Sequence, residues 1–215
     1  GTLDLANGAT ATSYTQFSGG VRRSGALIIN DNMNLYCAPG FSPLMRGSGT
    51  TFVEGTSQFG SSAGGYGIVL RDSRTLITAG HANWTHVNFI LDPDATVRCL
   101  TRFNITGDTR AFSGGTFDNS GLLYVDLLND DRILSMQAAE FKNNGSIHVH
   151  RGTLRISGKV EGIDEETLTD GGWGGYGPGR LEVTSSSKEM HPIITNNASV
   201  TLSGPGSSFP TIDSL

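Results

Sequence analysis

Phe117-Asp118-Asn119-Ser120-Gly121-Leu122-Leu123-Tyr124-Val125 recurs further along the chain as Phe141-Lys142-Asn143-Asn144-Gly145-Ser146-Ile147-His148-Val149. Each copy runs from an aromatic anchor through an Asn-containing turn and a Gly into an alternating strand. A unit of about 24 residues is too short to enclose a core, so it reads as one coil of a stacked solenoid whose neighbours supply the missing wall. Stacking in register makes Phe117 and Phe141 an aromatic step. It makes Leu123 with Ile147, and Val125 with Val149, inward aliphatic ladders. Asn119 and Asn143 fall at equivalent turn positions, where their amides are expected to bond from coil to coil if the turn is buried.

The whole chain carries the composition of short strands joined by turns. Of 215 residues 30 are Gly, about twice the usual share of roughly 7%, and charged residues make up 16% against a usual ~25%. The length suits one domain, or about eight or nine coils at the observed step. A net charge of −5, with Lys142, Lys159 and Lys188 as the only lysines, offers no basic face for a phosphate backbone. No apolar run reaches the ~18 residues of a membrane-spanning helix. The opening Gly1-Thr2-Leu3-Asp4-Leu5 echoes Gly152-Thr153-Leu154-Arg155-Ile156, so the chain is expected to begin inside a coil, as a piece of a longer repeat protein.

The expected fold class is therefore all-β, a right-handed parallel β-helix (solenoid) with coils of about 24 residues. It is expected to run as one segment over 1–215. Loop insertions are expected near 38–48, 58–66 and 159–179, the last containing the Gly-rich stretch Gly171 to Gly179. Asp130 to Phe141 has a local helical preference, which the repeat overrides, because this segment must return the chain to the next anchor as strand and corner. Cys37 and Cys99 are too few for a disulfide framework. Buried free thiols are the preferred reading, and a bridge is left open.

The text from Arg74 onward, including RTLITAGHANW, SGGTFDNSGLLYV, AEFKNNGSIHVHRGTLRISG and NNASVTLSGPGSSF, resembles the repeats of secreted right-handed parallel β-helix proteins of the autotransporter-passenger and filamentous-haemagglutinin-like, pectin-lyase-like kind. The resemblance covers the last two thirds of the chain well and the first third loosely. It implies architecture, an extracellular or cell-surface location and an adhesive or structural part, and it brings no catalytic residues to transfer.

Chemistry-bearing residues are sparse. His148 and His150 share an outward strand face and form a potential metal pair without a third ligand at suitable spacing, so no metal site is assigned. Asp92, Asp94, Asp126, Asp130 and Asp131, with Arg98, Arg102, Arg110 and Arg132 nearby in sequence, are the available acidic and basic groups for a Ca²⁺ site or for a β-helical polysaccharide lyase or hydrolase. Nothing in their spacing selects among them, and no cofactor is otherwise expected. Trp173 and Tyr176 are candidates for contact with sugar rings. Asn83, Asn104, Asn144 and Asn197 head N-glycosylation triplets, which matter for a secreted eukaryotic chain. An ice-binding plane would need Thr-x-Thr at coil spacing, and Thr10-Ala11-Thr12 and Thr167-Leu168-Thr169 do not recur. The expected function is a noncatalytic extracellular structural or adhesive segment. It would pack end to end or laterally against copies of itself, since neither terminus reads as a cap, and would contact surface carbohydrate. The alternative is an enzyme acting on extracellular polysaccharide.

Overall fold

The computed structural model describes residues 2–17, 19–61, 67–108, 111–164, 167–184, 193, 195–210 and 212. Expectations placed on 62–66, Arg110 and Lys188 lie outside the described residues. Among those described, the chain is all strand and turn, wound as a parallel β-solenoid with three faces. The first face begins with Thr2–Asp4 and Gly20–Arg22, the second with Ala9–Ala11 and Leu27–Ile29, the third with Tyr14–Gln16 and Met33–Cys37. The third face is a sheet of 9 strands. The other two faces fuse into one 15-stranded sheet, because Ile133–Asn143 and Thr153–Glu161 each run through the corner and pair on both sides.

The repeat sets the register. Phe117 is the partner of Phe141, Asn119 of Asn143, Leu123 of Ile147 and Val125 of Val149. The coil length is not constant. Thr2 pairs with Gly20 near the start of the chain and Thr153 with Arg180 near its end, so the later coil is half as long again as the first. Strand pairing fixes the residues on the faces and leaves the corners free to take up the difference. Ile133–Asn143 is a strand with an alternating buried pattern, so the ladders above and below it outweigh its helix-forming composition.

Inward residues of every coil form one core. In its middle Phe59, Trp84, Phe89, Phe103, Phe112, Phe117 and Phe141 are all fully buried, and successive rings meet edge-on or stacked at centroid distances of 5.0–6.5 Å. These are the separations at which ring quadrupoles attract. Corners are built from glycine. A Cβ on Gly121 would lie 2.1 Å from the Thr101 carbonyl oxygen, and one on Gly145 2.0 Å from that of Gly121, so the coils close together here only without side chains.

The first-to-second corner carries an unusual filling. Gly25, Gly49 and Arg74 stand in register on successive coils, and a Cβ on Gly49 would lie 2.5 Å from Arg74 Nη1. The Arg74 side chain, 0% exposed, descends through the space these glycines leave. Its Nη1 donates to the carbonyls of Arg23 and Gly25, both at 3.2 Å, and its Nη2 to Thr51 Oγ1 at 2.8 Å. Burial lowers its pKa from the ordinary arginine value.

Three expectations about loops change. Within 38–48, Leu44–Met45 is a rung of the first face, leaving Ala38 to Phe41 as a tight turn. Within 58–66, Ser57–Ser61 is a rung of the third face. Within 159–179, the excursion from the solenoid narrows to the small sheet of Ile163–Asp164, Thr167–Leu168 and Thr195–Asn196, and Gly172–Tyr176 is a rung of the third face. Past the last long strand the first-face ladder continues: Ser208 bridges Arg180 in parallel, Leu181 donates its N–H to the Ser208 carbonyl, and the buried Phe209 stacks on Trp173 at 6.1 Å. Cys37 and Cys99 are buried free thiols, and burial pushes both up to about 11.

Candidate functional site

Alternation along the third-face strands turns every second side chain to the outer surface. One outward column, in register from coil to coil, is Asn83, Asn104, Tyr124, His148, Gly174 and Thr201. Beside it runs Arg102, Leu122, Ser146, Gly172 and Ser199. The lower part is an amide and guanidinium network. Arg102 Nε donates to Asn104 Oδ1 at 2.6 Å, Asn104 Nδ2 donates to Asn83 Oδ1 at 2.8 Å, and the guanidinium lies 4.8 Å from the Tyr124 ring centroid.

Higher up the network becomes aromatic. The His150 ring stacks on Tyr176 at 4.9 Å with an interplanar angle of 10°, and lies 4.7 Å from Tyr124. His148 sits 4.9 Å from Tyr176 and 6.3 Å from His150, with its Nε2 3.5 Å from the Tyr176 hydroxyl. Burial, followed by the proximity of His150 and Arg102, lowers the His148 pKa below the usual histidine value. The imidazole is therefore mainly neutral at pH 7.

The arrangement depends on two glycines. A Cβ on Gly174 would stand 2.7 Å from Tyr176 Cε2, and one on Gly172 2.8 Å from Ser146 Oγ. With both positions bare, the Tyr176 ring folds back over Gly174 against the histidines, and a trough of about 400 Å³ opens across the strands Ser146–Arg151, Gly172–Tyr176 and Ser199–Ser203. Its floor is glycine backbone. Tyr176 and His148 border it, Asp170, Asn144 and Asn197 bring carboxylate and amide groups, and Ser146, Ser199 and Thr201 bring hydroxyls. Asp170 Oδ1 is fixed by accepting the Gly171 N–H at 2.7 Å.

The sequence-derived candidates scatter. Trp173 is 1% exposed and points into the core, where Nε1 donates to the Asp170 carbonyl at 2.7 Å. It is thus removed as a sugar-contacting ring, while Tyr176 stays on the outer surface. Phe117 and Phe141 stack at 5.6 Å inside the solenoid with Leu123, Ile147, Val125 and Val149. Asn119 Nδ2 donates to Asn143 Oδ1 at 2.8 Å and to the Ser146 carbonyl at 3.0 Å, both asparagines being buried. Among the glycosylation candidates, Asn144 and Asn197 are exposed at the trough, whereas Asn83 and Asn104 bond each other.

The carboxylates do not converge. Asp126 pairs with Arg151 at 2.8 Å, Asp92 accepts the Asp72 N–H at 2.9 Å, and Asp130 and Asp131 point to solvent. Arg98 pairs with Asp118 and Arg132 with Asp108, each at 3.1 Å. Among the described residues no group of three or more His, Cys, Asp or Glu comes together to hold a metal ion. On the second face Thr50, Thr75, Thr96 and Thr116 do align over four coils. The neighbouring outward column is Phe52, Ile77, Arg98 and Asp118, which carries no threonine. No protein-family model, curated protein or solved structure matches the chain.

Proposed function

We propose that this chain is a noncatalytic extracellular structural or adhesive segment, a stiff β-solenoid whose third face makes contact with its surroundings. The observation that carries the reading is the outward cluster of Tyr124, His148, His150 and Tyr176 beside a glycine-floored trough. Four rings on one outer face present rigid contact area at a small cost in side-chain entropy. The interior side chains, by contrast, are occupied by coil-to-coil stacking. Kinship with autotransporter-passenger or filamentous-haemagglutinin-like proteins belongs to this proposal and rests on the repeat phrases Phe117 to Val125 and Gly152 to Gly158. Its partners are surface carbohydrate and further coils, of this or a neighbouring chain, packed end to end or laterally.

Negative-stain electron microscopy of the chain alone and mixed with polysaccharide-coated beads tests this reading. Decoration of the beads or end-to-end filaments are the expected results; isolated particles that decorate nothing would contradict it. A second reading, a polysaccharide lyase or hydrolase, is favoured by Asp170, His148 and Tyr176 bordering one trough. Release of reducing ends or unsaturated products on incubation with polysaccharide would establish it in place of the first.

A further inference from the structure

We infer that the trough between Asp170 and Tyr176 is a binding site for an uncharged saccharide, one or two pyranose residues of a neutral glycan. This deepens the adhesive reading and rests on it for biological meaning, though the binding itself can be measured separately.

The shape comes first. A volume of about 400 Å³ falls in the range of small-molecule sites, about 300–1,000 Å³. The floor spans three coils, Ser146 to Gly172 to Ser199, or about 10 Å along the axis at ~4.8 Å per coil. Gly172 and Gly174 keep it flat, since a side chain at either would strike Ser146 or Tyr176. A flat ligand with polar edges fits such a floor better than a branched apolar one.

The chemistry narrows the class. Tyr176 stacks on His150 and meets His148 at a tilt of 54°, and it borders the trough. A pyranose offers an apolar face of C–H groups to such a ring and a rim of hydroxyls to its surroundings. Around the rim stand a carboxylate acceptor, Asp170, and amide groups that both donate and accept, Asn144 and Asn197. Sugar hydroxyls need this mixture of donors and acceptors.

Charge excludes the acidic sugars. Asp170 is the one carboxylate among the described residues lining the trough, and no described lysine or arginine lines it. The His148 imidazole, mainly neutral at pH 7, supplies no compensating charge. Arg102 lies two coils below Ser146 in its column and is engaged with Asn104 and Tyr124. A uronate or sialate carboxylate would therefore meet Asp170 without a cation to offset it.

The test is affinity electrophoresis of the 215-residue chain in gels containing a neutral glucan, mannan or galactan, with polygalacturonate and hyaluronan as acidic counterparts. At least one neutral polymer should retard the chain, and the acidic ones should retard it less. Tyr176→Ala and Asp170→Asn should each weaken that retardation at least tenfold. Both changes lie on the outer surface, and Asn can still accept the Gly171 N–H, so unchanged circular dichroism should accompany the loss. Absence of retardation by every neutral polymer would overturn the inference, as would stronger binding to the acidic ones or undiminished binding by both variants. If binding to neutral glycan is absent while beads are still decorated in electron micrographs, the inference fails and the adhesive reading stands. If neutral glycan is bound and also cleaved, the site stands and the noncatalytic reading fails.

Discussion

Arg74 is the residue with most at stake for its size. Its guanidinium is fully enclosed and hydrogen-bonded to two carbonyls and a hydroxyl, none of them an anion. Such a group stays buried because it ties three coils at a corner from which Gly25 and Gly49 have withdrawn their side chains. Arg74→Ala should empty the channel and strand Thr51, costing about 2–4 kcal/mol in urea-unfolding experiments. A loss below about 0.5 kcal/mol would show that the corner closes without it. His148 makes a prediction about pH. Its folded pKa lies below 6.5 because burial penalises the imidazolium. The unfolded chain therefore takes up the proton first, and stability should fall as pH drops below about 6.5 toward the folded value. His148→Gln should flatten that part of the melting-temperature profile between pH 8 and 5. An unchanged difference between the two profiles would mean that His148 titrates as freely folded as unfolded.

At the scale of the strand and corner, the repeat phrase holds two devices. One is the amide ladder, in which Asn143 accepts from Asn119 and donates to the Gly172 carbonyl at 3.2 Å. Asn143→Ala should cost about 1–3 kcal/mol, measured by thermal or urea unfolding, and an unchanged transition would contradict the ladder. The other is the corner glycine. Gly121→Ala forces a methyl to within 2.1 Å of the Thr101 carbonyl, so it should cost about 1–3 kcal/mol or more although Ala is the better residue in an unfolded-chain argument. Both devices are visible in the sequence, because Asn and Gly return at the same offset from each Phe. The strand Gly172–Tyr176 carries a weaker signal. Five residues containing three glycines read as loop by composition. Their alternation, Trp173 and Gly175 inward against Gly172, Gly174 and Tyr176 outward, is the same period of two as in the neighbouring rungs. The signal lay in that order, and the size of the inward Trp173 gives the rung its burial.

For the whole molecule, the sequence announced parallel stacking because one repeat pair fixes the register of two coils, and neighbours joined by pairing must follow. Unequal steps, from the short coil between Thr2 and Gly20 to the long one between Thr153 and Arg180, concealed the other coils, since corners change length without altering the faces. The trough was hidden for a related reason. Its borders come from strands well separated along the chain, Ser146–Arg151, Gly172–Tyr176 and Ser199–Ser203, and only stacking brings His148, Tyr176 and Asn197 together. Among the described residues the interior is coil-to-coil stacking, and the third face carries the outward rings Tyr124, His148, His150 and Tyr176. The most direct measurement of that face as the contact surface is hydroxyl-radical footprinting of the chain, free and bound to polysaccharide-coated beads. Tyr124, His148, His150 and Tyr176 should lose reactivity on binding, while Ile28 on the second face and Ile90 on the first, both exposed, keep theirs. Protection of Ile28 or Ile90 with Tyr176 still oxidised at its free rate would contradict the account.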